Sequence, residues 1–133
     1  IHEGQLTYEE HGLFEVCDLG AWWKEKTSMP LPLGGNAIKK DIDSRFYAEA
    51  TSKITDLLLQ SIEYAMANRE KSLAWATQWG RGIDMACTDE FVEMYVNRWT
   101  LDFGENGKKA VQQFLSDAAS VGAVPEIATV EFV

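Results

Sequence analysis

The chain has 133 residues, of which 46% are hydrophobic and 25% are charged, so its composition is that of a globular protein and excludes a disordered one. Its 21 acidic residues outnumber its 12 basic residues and give a formal net charge of −9. A surface of that charge repels phosphate backbones and anionic lipid heads, which disfavours nucleic acids and membranes as partners.

The first part of the chain combines one strand-like stretch with short turns. Residues 13–19, which lie between two glycines, are predicted as a short strand. Residues 21–26 can form about two helical turns before two prolines break the pattern. Residues 33–38 are predicted as an extended segment that contains a pair of glycines. We therefore expect few strands, all near the start of the chain.

The character of the chain changes after Asp41, where apolar residues recur at helical spacing. We predict four helices, at residues 43–67, 69–79, 88–98 and 102–118. The last helix begins at a sequence that resembles a capping box, in which side chains bond the free amides of the first turn. The tail that follows is predicted as a loop with a short extended end.

The predicted strands are too few to form a stable sheet without help. Partner strands must then come either from another chain or from a segment upstream of Ile1. The sequence begins without a methionine and within a patterned stretch, so we expect the upstream part of the protein to be missing here.

The most reactive side chain near the start is His2, followed by Glu3. Imidazole titrates near neutrality and is the usual general base. In an extended segment His2 and Glu3 point to opposite faces, so Glu3 would not orient the imidazole directly. The glycine pair Gly34 and Gly35 either lines a cleft or forms a β-bulge. By residue type alone, each of these signals is weak.

Several other side chains are open to two interpretations. Trp22 and Trp23 could stack on an aromatic ligand, although at least one of them is expected to anchor the core. Thr7 and Tyr8 could donate hydrogen bonds to a ligand oxygen. No phosphate-binding loop, nucleophile elbow or Cys-His pair is present in the sequence.

The cysteines and histidines do not form a metal-binding pattern. Cys17 and Cys87 are far apart and, with His2 and His11, lack the spacing of a zinc site, so we expect free thiols in a reducing compartment. No apolar run approaches the ~20 residues that span a bilayer, and no signal peptide is visible. These features predict a cytoplasmic protein without a metal.

Five blocks of the sequence match a known family. They are IHEGQLTYEEHGL at 1–13, DLGAWW at 18–23, LPLGG at 31–35, SIEYA at 61–65 and YVNRWTLDFG at 95–104. In these blocks the chain resembles the 1,4-dihydroxy-6-naphthoate synthases of the futalosine route to menaquinone. The resemblance spans residues 1 to about 118 and is weakest between 71 and 88.

The resemblance implies an α/β fold that forms the C-terminal part of a two-lobed, periplasmic-binding-protein-like (type II) structure, with the ligand held between the lobes. Family members are about twice as long as this chain, which looks like their second half. Residues 1–34 would belong to the second lobe, residues 35–42 would form the hinge crossover, and residues 43–133 would be a helical part that returns to the first lobe.

The resemblance also implies an activity. The family are lyases that convert cyclic dehypoxanthinyl futalosine into 1,4-dihydroxy-6-naphthoate without a metal or an organic cofactor. The histidine proposed as their base aligns with His2, and Glu3, Gly34 and Gly35 match as cleft neighbours that bind substrate. The residues expected to hold the substrate carboxylate would lie upstream, so we expect the 133-residue piece to be inactive alone.

Two stretches depart from the family pattern. Residues 36–40 are more polar than expected and lack an arginine, which puts ligand contacts there in doubt, and residues 80–87 match poorly. The competing functions are a solute-binding protein of a transporter with the same fold, and a helical interaction module without a ligand. The expected partners are a small-molecule substrate and the upstream half of the same protein. Exchange of strands or domains between copies in a homo-oligomer stays open.

Overall fold

The computed structural model describes residues 4–79, 85–125 and 129–133, and helices dominate all but the last of these ranges. Two short 3₁₀ turns, Glu9–His11 and Thr77–Trp79, accompany the α-helices. The α-helices of the described residues are α1 Gly4–Thr7, α2 Leu19–Thr27, α3 Ile42–Arg45, α4 Ala50–Ala67, α5 Arg69–Ala76, α6 Met85–Tyr95, α7 Arg98–Leu101 and α8 Gly104–Ser120.

The predicted α/β class is wrong for this structure. No strand occurs among the described residues, and the stretches predicted as extended, residues 13–19 and 33–38, carry no sheet hydrogen bonds. The physical reason is that a strand needs a neighbour to pair its backbone amides and carbonyls. The described residues supply no such neighbour, so a periplasmic-binding-protein-like sheet does not form.

Helix α2 is fixed at both ends by local hydrogen bonds. The Asp18 carboxylate accepts from the backbone amides of Gly20 at 2.7 Å and Ala21 at 3.0 Å, as an N-cap residue does. At the other end Ser28, at φ 59°, donates its amide to the Lys24 carbonyl at 2.8 Å. The helix therefore begins within the stretch predicted as a strand.

Trp23 anchors α2 to the rest of the molecule. Its side chain is buried, and its indole Nε1 donates to the Pro30 carbonyl at 3.1 Å. Its ring meets Phe114 of α8 edge to face, with 5.6 Å between ring centroids. One tryptophan thus holds α2 and the proline segment against the last helix, which confirms the expectation of a core anchor in this pair.

The single helix predicted at residues 43–67 is divided into α3 and α4. The chain turns at Glu49, whose φ of 70° lies in the left-handed region. The Asp43 carboxylate accepts from the amide of Thr51 at 2.7 Å and so binds the first turn of α4 from across the break. This hydrogen bond and one from the Thr51 side chain lower the pKa of Asp43.

The helix predicted at residues 69–79 is confirmed as α5 and the 3₁₀ turn after it. The Arg69 guanidinium joins the start of α5 to α6 through the Asp89 carboxylate, with contacts of 2.7 Å from Nε and 2.6 Å from Nη2. Both nitrogens contact the same oxygen, Asp89 Oδ1, and Nη2 also donates to the Asp89 backbone carbonyl at 3.3 Å, so the guanidinium contacts both the side chain and the backbone of α6.

A reciprocal capping box follows α6 and starts α7. The Asn97 side chain accepts from the Trp99 amide at 3.0 Å, and the Asn97 amide donates to Thr100 Oγ1 at 3.1 Å. The Asp102 carboxylate then accepts from the amide of Gly104 at 2.7 Å and starts α8. The helix predicted at 88–98 therefore ends earlier, and the one predicted at 102–118 is confirmed.

The start of α8 packs closely against the residues that precede it. A Cβ atom on Gly107 would stand 3.1 Å from the Phe103 Cβ and 3.4 Å from the Trp99 ring, so a side chain there requires these neighbours to move by a few tenths of an ångström. The final segment returns to this helix, where the Val130 amide donates to Gln112 at 2.9 Å and the Phe132 ring lies 5.7 Å from that of Phe103.

The buried core is small for the length of the chain. The buried hydrophobic side chains of the described residues are Trp23, Ala50, Leu73 and Ala110. The accessible surface is 10462 Å², whereas a globular protein of this 14.9 kDa mass exposes about 7,000 Å². The helices therefore form an open arrangement with much apolar surface in contact with solvent.

Candidate functional site

The predicted catalytic residue, His2, and its neighbour Glu3 lie outside the described residues. The described chain starts at Gly4 with α1 and continues into the 3₁₀ turn that ends at Gly12, where φ is 68°. The backbone carbonyl of Tyr8 closes this turn by accepting from the amides of His11 at 3.1 Å and Leu13 at 3.0 Å. The structure thus fixes the helical turn that directly follows the predicted base.

The Tyr8 side chain stays protonated in the neutral range. Burial raises the pKa of its hydroxyl, and the carboxylates of Glu9 and Glu15 raise it further. Since a protonated phenol can donate a hydrogen bond, Tyr8 has the chemistry expected of a donor to a ligand oxygen. Its role toward a ligand stays a prediction.

Gly34 and Gly35 lie in the irregular segment between α2 and α3, and both are exposed. No described atom lies within 4 Å of a Cβ placed on either glycine, and neither residue has a left-handed φ. Packing within this structure therefore does not require glycine at these positions. Their separation from His2, and with it their place beside a cleft, stays a prediction.

Trp22 and Trp23 have different environments despite being adjacent. Trp23 is buried, whereas Trp22 is half exposed and carries the Lys26 ammonium 5.0 Å above its ring. Trp22, Glu25 and Lys26 line an open depression of about 390 Å³. Because the lysine covers its ring, Trp22 offers a ligand less aromatic surface than a free indole would.

Asp18 is a capping residue that the sequence analysis missed. Its carboxylate binds the first amides of α2, the helix that carries Trp22 and Trp23. The signal was available, since Asp directly before a helical stretch is a preferred N-cap. The prediction of a strand at residues 13–19 placed Asp18 in the wrong kind of element.

Cys17 is exposed, Cys87 is half-buried, and neither forms a disulfide. Within residues 4–79, 85–125 and 129–133, no cluster of three or more His, Cys, Asp or Glu residues is arranged to hold a metal ion. No helix in these same ranges is long and apolar enough to cross a membrane.

Comparison with known proteins defines the class to which this arrangement belongs. A family model described as menaquinone biosynthesis matches residues 1–120, and the chain belongs to that family. A 1,4-dihydroxy-6-naphthoate synthase of Thermus thermophilus is 34% identical over 122 residues, which is 92% of this chain. An enzyme of the same name from Streptomyces coelicolor is 32% identical over 127 residues, or 96% of this chain.

The fold also occurs within a longer protein of known structure. An X-ray crystal structure of a protein from Archaeoglobus fulgidus matches with a TM-score of 0.84 and 35% identity, over 93% of this chain and 46% of that one. The chain spans 43% of the Thermus enzyme and 44% of the Streptomyces enzyme, less than half of each.

Proposed function

We propose that the full-length protein, meaning the whole polypeptide that contains this chain, is a lyase of menaquinone biosynthesis. It forms 1,4-dihydroxy-6-naphthoate from cyclic dehypoxanthinyl futalosine, as the resemblance of the sequence implies. The observation that carries this proposal is the match of residues 1–120 to the menaquinone biosynthesis family, together with two naphthoate synthases at 34% and 32% identity.

His2 acts in this proposal as the general base. A neutral imidazole removes a proton from the substrate, the sugar-derived portion leaves with the electron pair of its bond, and formation of an aromatic naphthoate drives the elimination. The role requires an unprotonated imidazole, the form in which histidine accepts a proton as a general base. Expulsion of water from the closed cleft would strengthen each polar contact to the substrate.

Glu3, Gly34 and Gly35 are proposed as substrate-binding neighbours of that base. The open space beside the glycine pair supports this role, because no described atom lies within 4 Å of a Cβ placed on either residue. A ligand could come within van der Waals distance of a glycine backbone, whereas a side chain at the same position would keep the ligand further away.

The remaining contacts to the substrate are proposed to come from a segment upstream of Ile1. The large exposed surface supports this, since an isolated domain of this mass would hide more of its apolar area. The 133-residue piece is accordingly proposed to be inactive alone, and the full-length protein to work in the cytoplasm without a cofactor. A transporter's solute-binding protein is not favoured, because both curated relatives carry the names of biosynthetic enzymes.

The test compares the histidines of the chain in the full-length protein. His2→Asn should lower the rate of naphthoate formation, followed by absorbance, by about 10²-fold or more, the usual contribution of a general base. His11→Asn is the matched control, because His11 is exposed in the 3₁₀ turn and should be replaceable within about twofold. Turnover by His2→Asn at the rate of the control would remove His2 from the mechanism.

A further inference from the structure

Helix α4 carries more apolar surface than its neighbours cover. Four exposed apolar residues follow one another at spacings of three, one and six positions, which places them on one side of the helix. Leu57 is 66% exposed and Tyr64 is 55% exposed, values typical of solvated side chains. We call this surface the α4 stripe; its members are Ile54, Leu57, Leu58 and Tyr64.

The α4 stripe continues the side of α4 that packs within the molecule. Helix α4 contacts α3, α5 and α7. Ala50, four residues before Ile54, is buried on the same side as the stripe, and the half-buried Ile62 lies beside it. Polar residues such as Glu63 occupy the opposite side. The apolar arc of α4 is thus wider than the part that its neighbours cover, and the uncovered part calls for a further partner.

The amount of exposed surface indicates how large that partner is. The chain exposes 10462 Å², about 3,500 Å² more than a globular protein of its mass would. Each partner in an interface of standard size buries only about 800 Å² of its accessible surface. A simple contact between two copies of this chain would therefore leave most of the excess uncovered, whereas a domain-sized partner could cover it.

We propose that the α4 stripe is the docking surface for the part of the full-length protein that lies outside these 133 residues. The same fold, at a TM-score of 0.84, occurs in a crystal structure of which the match covers only 46%. A chain with that much further polypeptide contains a partner of the size that the exposed area requires. This inference rests on the proposed function in one respect, namely the expectation of an upstream segment.

The α4 stripe also sets the chemistry of the docked element. Its members carry no charge, and the one side-chain hydrogen bond described for them runs from the Lys71 ammonium to the Tyr64 hydroxyl at 3.2 Å. The docked element must therefore present apolar side chains at the centre of the contact, with a hydrogen-bonding or acidic group near Lys71 at the edge. This is the apolar centre and polar rim of a permanent protein interface.

The test measures thiol reactivity in the native full-length protein. Leu57→Cys places a thiol on the α4 stripe, and the matched control Glu63→Cys places one six residues further on, at an exposed position of the polar side. Labelling with a maleimide, resolved by peptide mass spectrometry, separates these thiols from Cys17 and Cys87. The thiol at position 57 should react at least about tenfold more slowly than the one at position 63, and equally fast after unfolding in guanidinium.

A further variant, a dilution series and an activity assay keep the outcomes distinct. Leu58→Cys repeats the measurement if Leu57→Cys does not fold. Equal reaction rates at positions 57, 58 and 63 in the native protein would overturn the proposal, and so would protection that disappears on dilution, because it would identify a second copy as the occupant. The readout does not involve activity. Missing protection in a protein that still makes naphthoate would refute the docking surface alone, and protection without naphthoate would refute the function alone.

Discussion

Two regions of the molecule differ in where their hydrogen-bonding partners come from. Between α6 and α8, side chains such as Asn97 and Asp102 pair with backbone groups only a few residues away. In residues 13–18, by contrast, Phe14 is 90% exposed and Val16 is 98% exposed, and the extended backbone has no neighbouring strand among the described residues. The first region is stabilised by its own sequence, while the second depends on groups that the described structure does not contain.

The largest loss of stability is expected when Trp23, which holds α2 against α8, is replaced. Trp23→Ala removes a buried ring, its hydrogen bond to Pro30 and its contact with Phe114, and should lower the free energy of unfolding by about 3–5 kcal/mol. Trp22→Ala is the matched control, since that ring is half exposed, and should cost less than about 1 kcal/mol. Guanidinium unfolding of the full-length protein measures both. Equal losses would mean that α2 is not held by Trp23.

A smaller loss of stability is expected at Asn97, in the region between α6 and α8 where side chains pair with nearby backbone groups. Asn97 caps α7 and also donates to the carbonyls of Glu93 and Met94, so Asn97→Ala should destabilise the protein by about 1–2 kcal/mol. Asn106→Ala, at an exposed position of α8, should change the free energy of unfolding by less than about 0.5 kcal/mol. If both variants unfolded at the same denaturant concentration, the capping box would not contribute to stability.

Two glycines differ in whether the fold requires glycine at their position. Gly104 has a φ of 55°, so Gly104→Ala forces an alanine into the left-handed region and should cost about 1–2 kcal/mol. Gly34 has open space and no left-handed φ, so Gly34→Ala should leave stability unchanged but raise the KM for the substrate if the proposed cleft is correct. Stability is measured by thermal unfolding and KM by naphthoate formation. An unchanged KM would remove Gly34 from the binding site.

The same contrast explains how much the sequence could predict. The helices at 69–79 and 102–118 were predicted because their apolar spacing and their capping residues are local signals. The prediction of a strand at residues 13–19 was wrong because a strand forms only beside a neighbouring strand, and the sequence pattern cannot show that one is present. The break before α4 was missed because Glu49, at φ 70°, is not a residue type that indicates a left-handed turn.

The site residues named from the sequence stay predictions, because His2 and Glu3 lie outside the described residues. The sequence singled out His2 by its chemistry and by the block IHEG, which comparison with known proteins assigns to the menaquinone biosynthesis family. The residues expected to surround it come from distant parts of the polypeptide, and their positions follow from tertiary packing. Spacing along 133 residues therefore predicts which groups react but not how they are brought together.

The smallest change in stability is expected at acidic pH, from the hydrogen bond that Asp43 makes across the break between α3 and α4. Hydrogen bonds from Thr51 lower the pKa of Asp43 in the folded state relative to its ordinary value of about 3.9 in the unfolded state. Its contribution to stability is therefore present above about pH 4 and is lost as the pH falls through the lower, folded pKa. Asp43→Asn should make the midpoint of unfolding less dependent on pH below about pH 4, whereas Ser52→Ala, which removes no titrating group from an exposed position of α4, should leave that dependence unchanged. Denaturant titrations at a series of acidic pH values measure the difference. Identical pH profiles for the two variants would mean that the Thr51 hydrogen bond does not hold the two helices at this break.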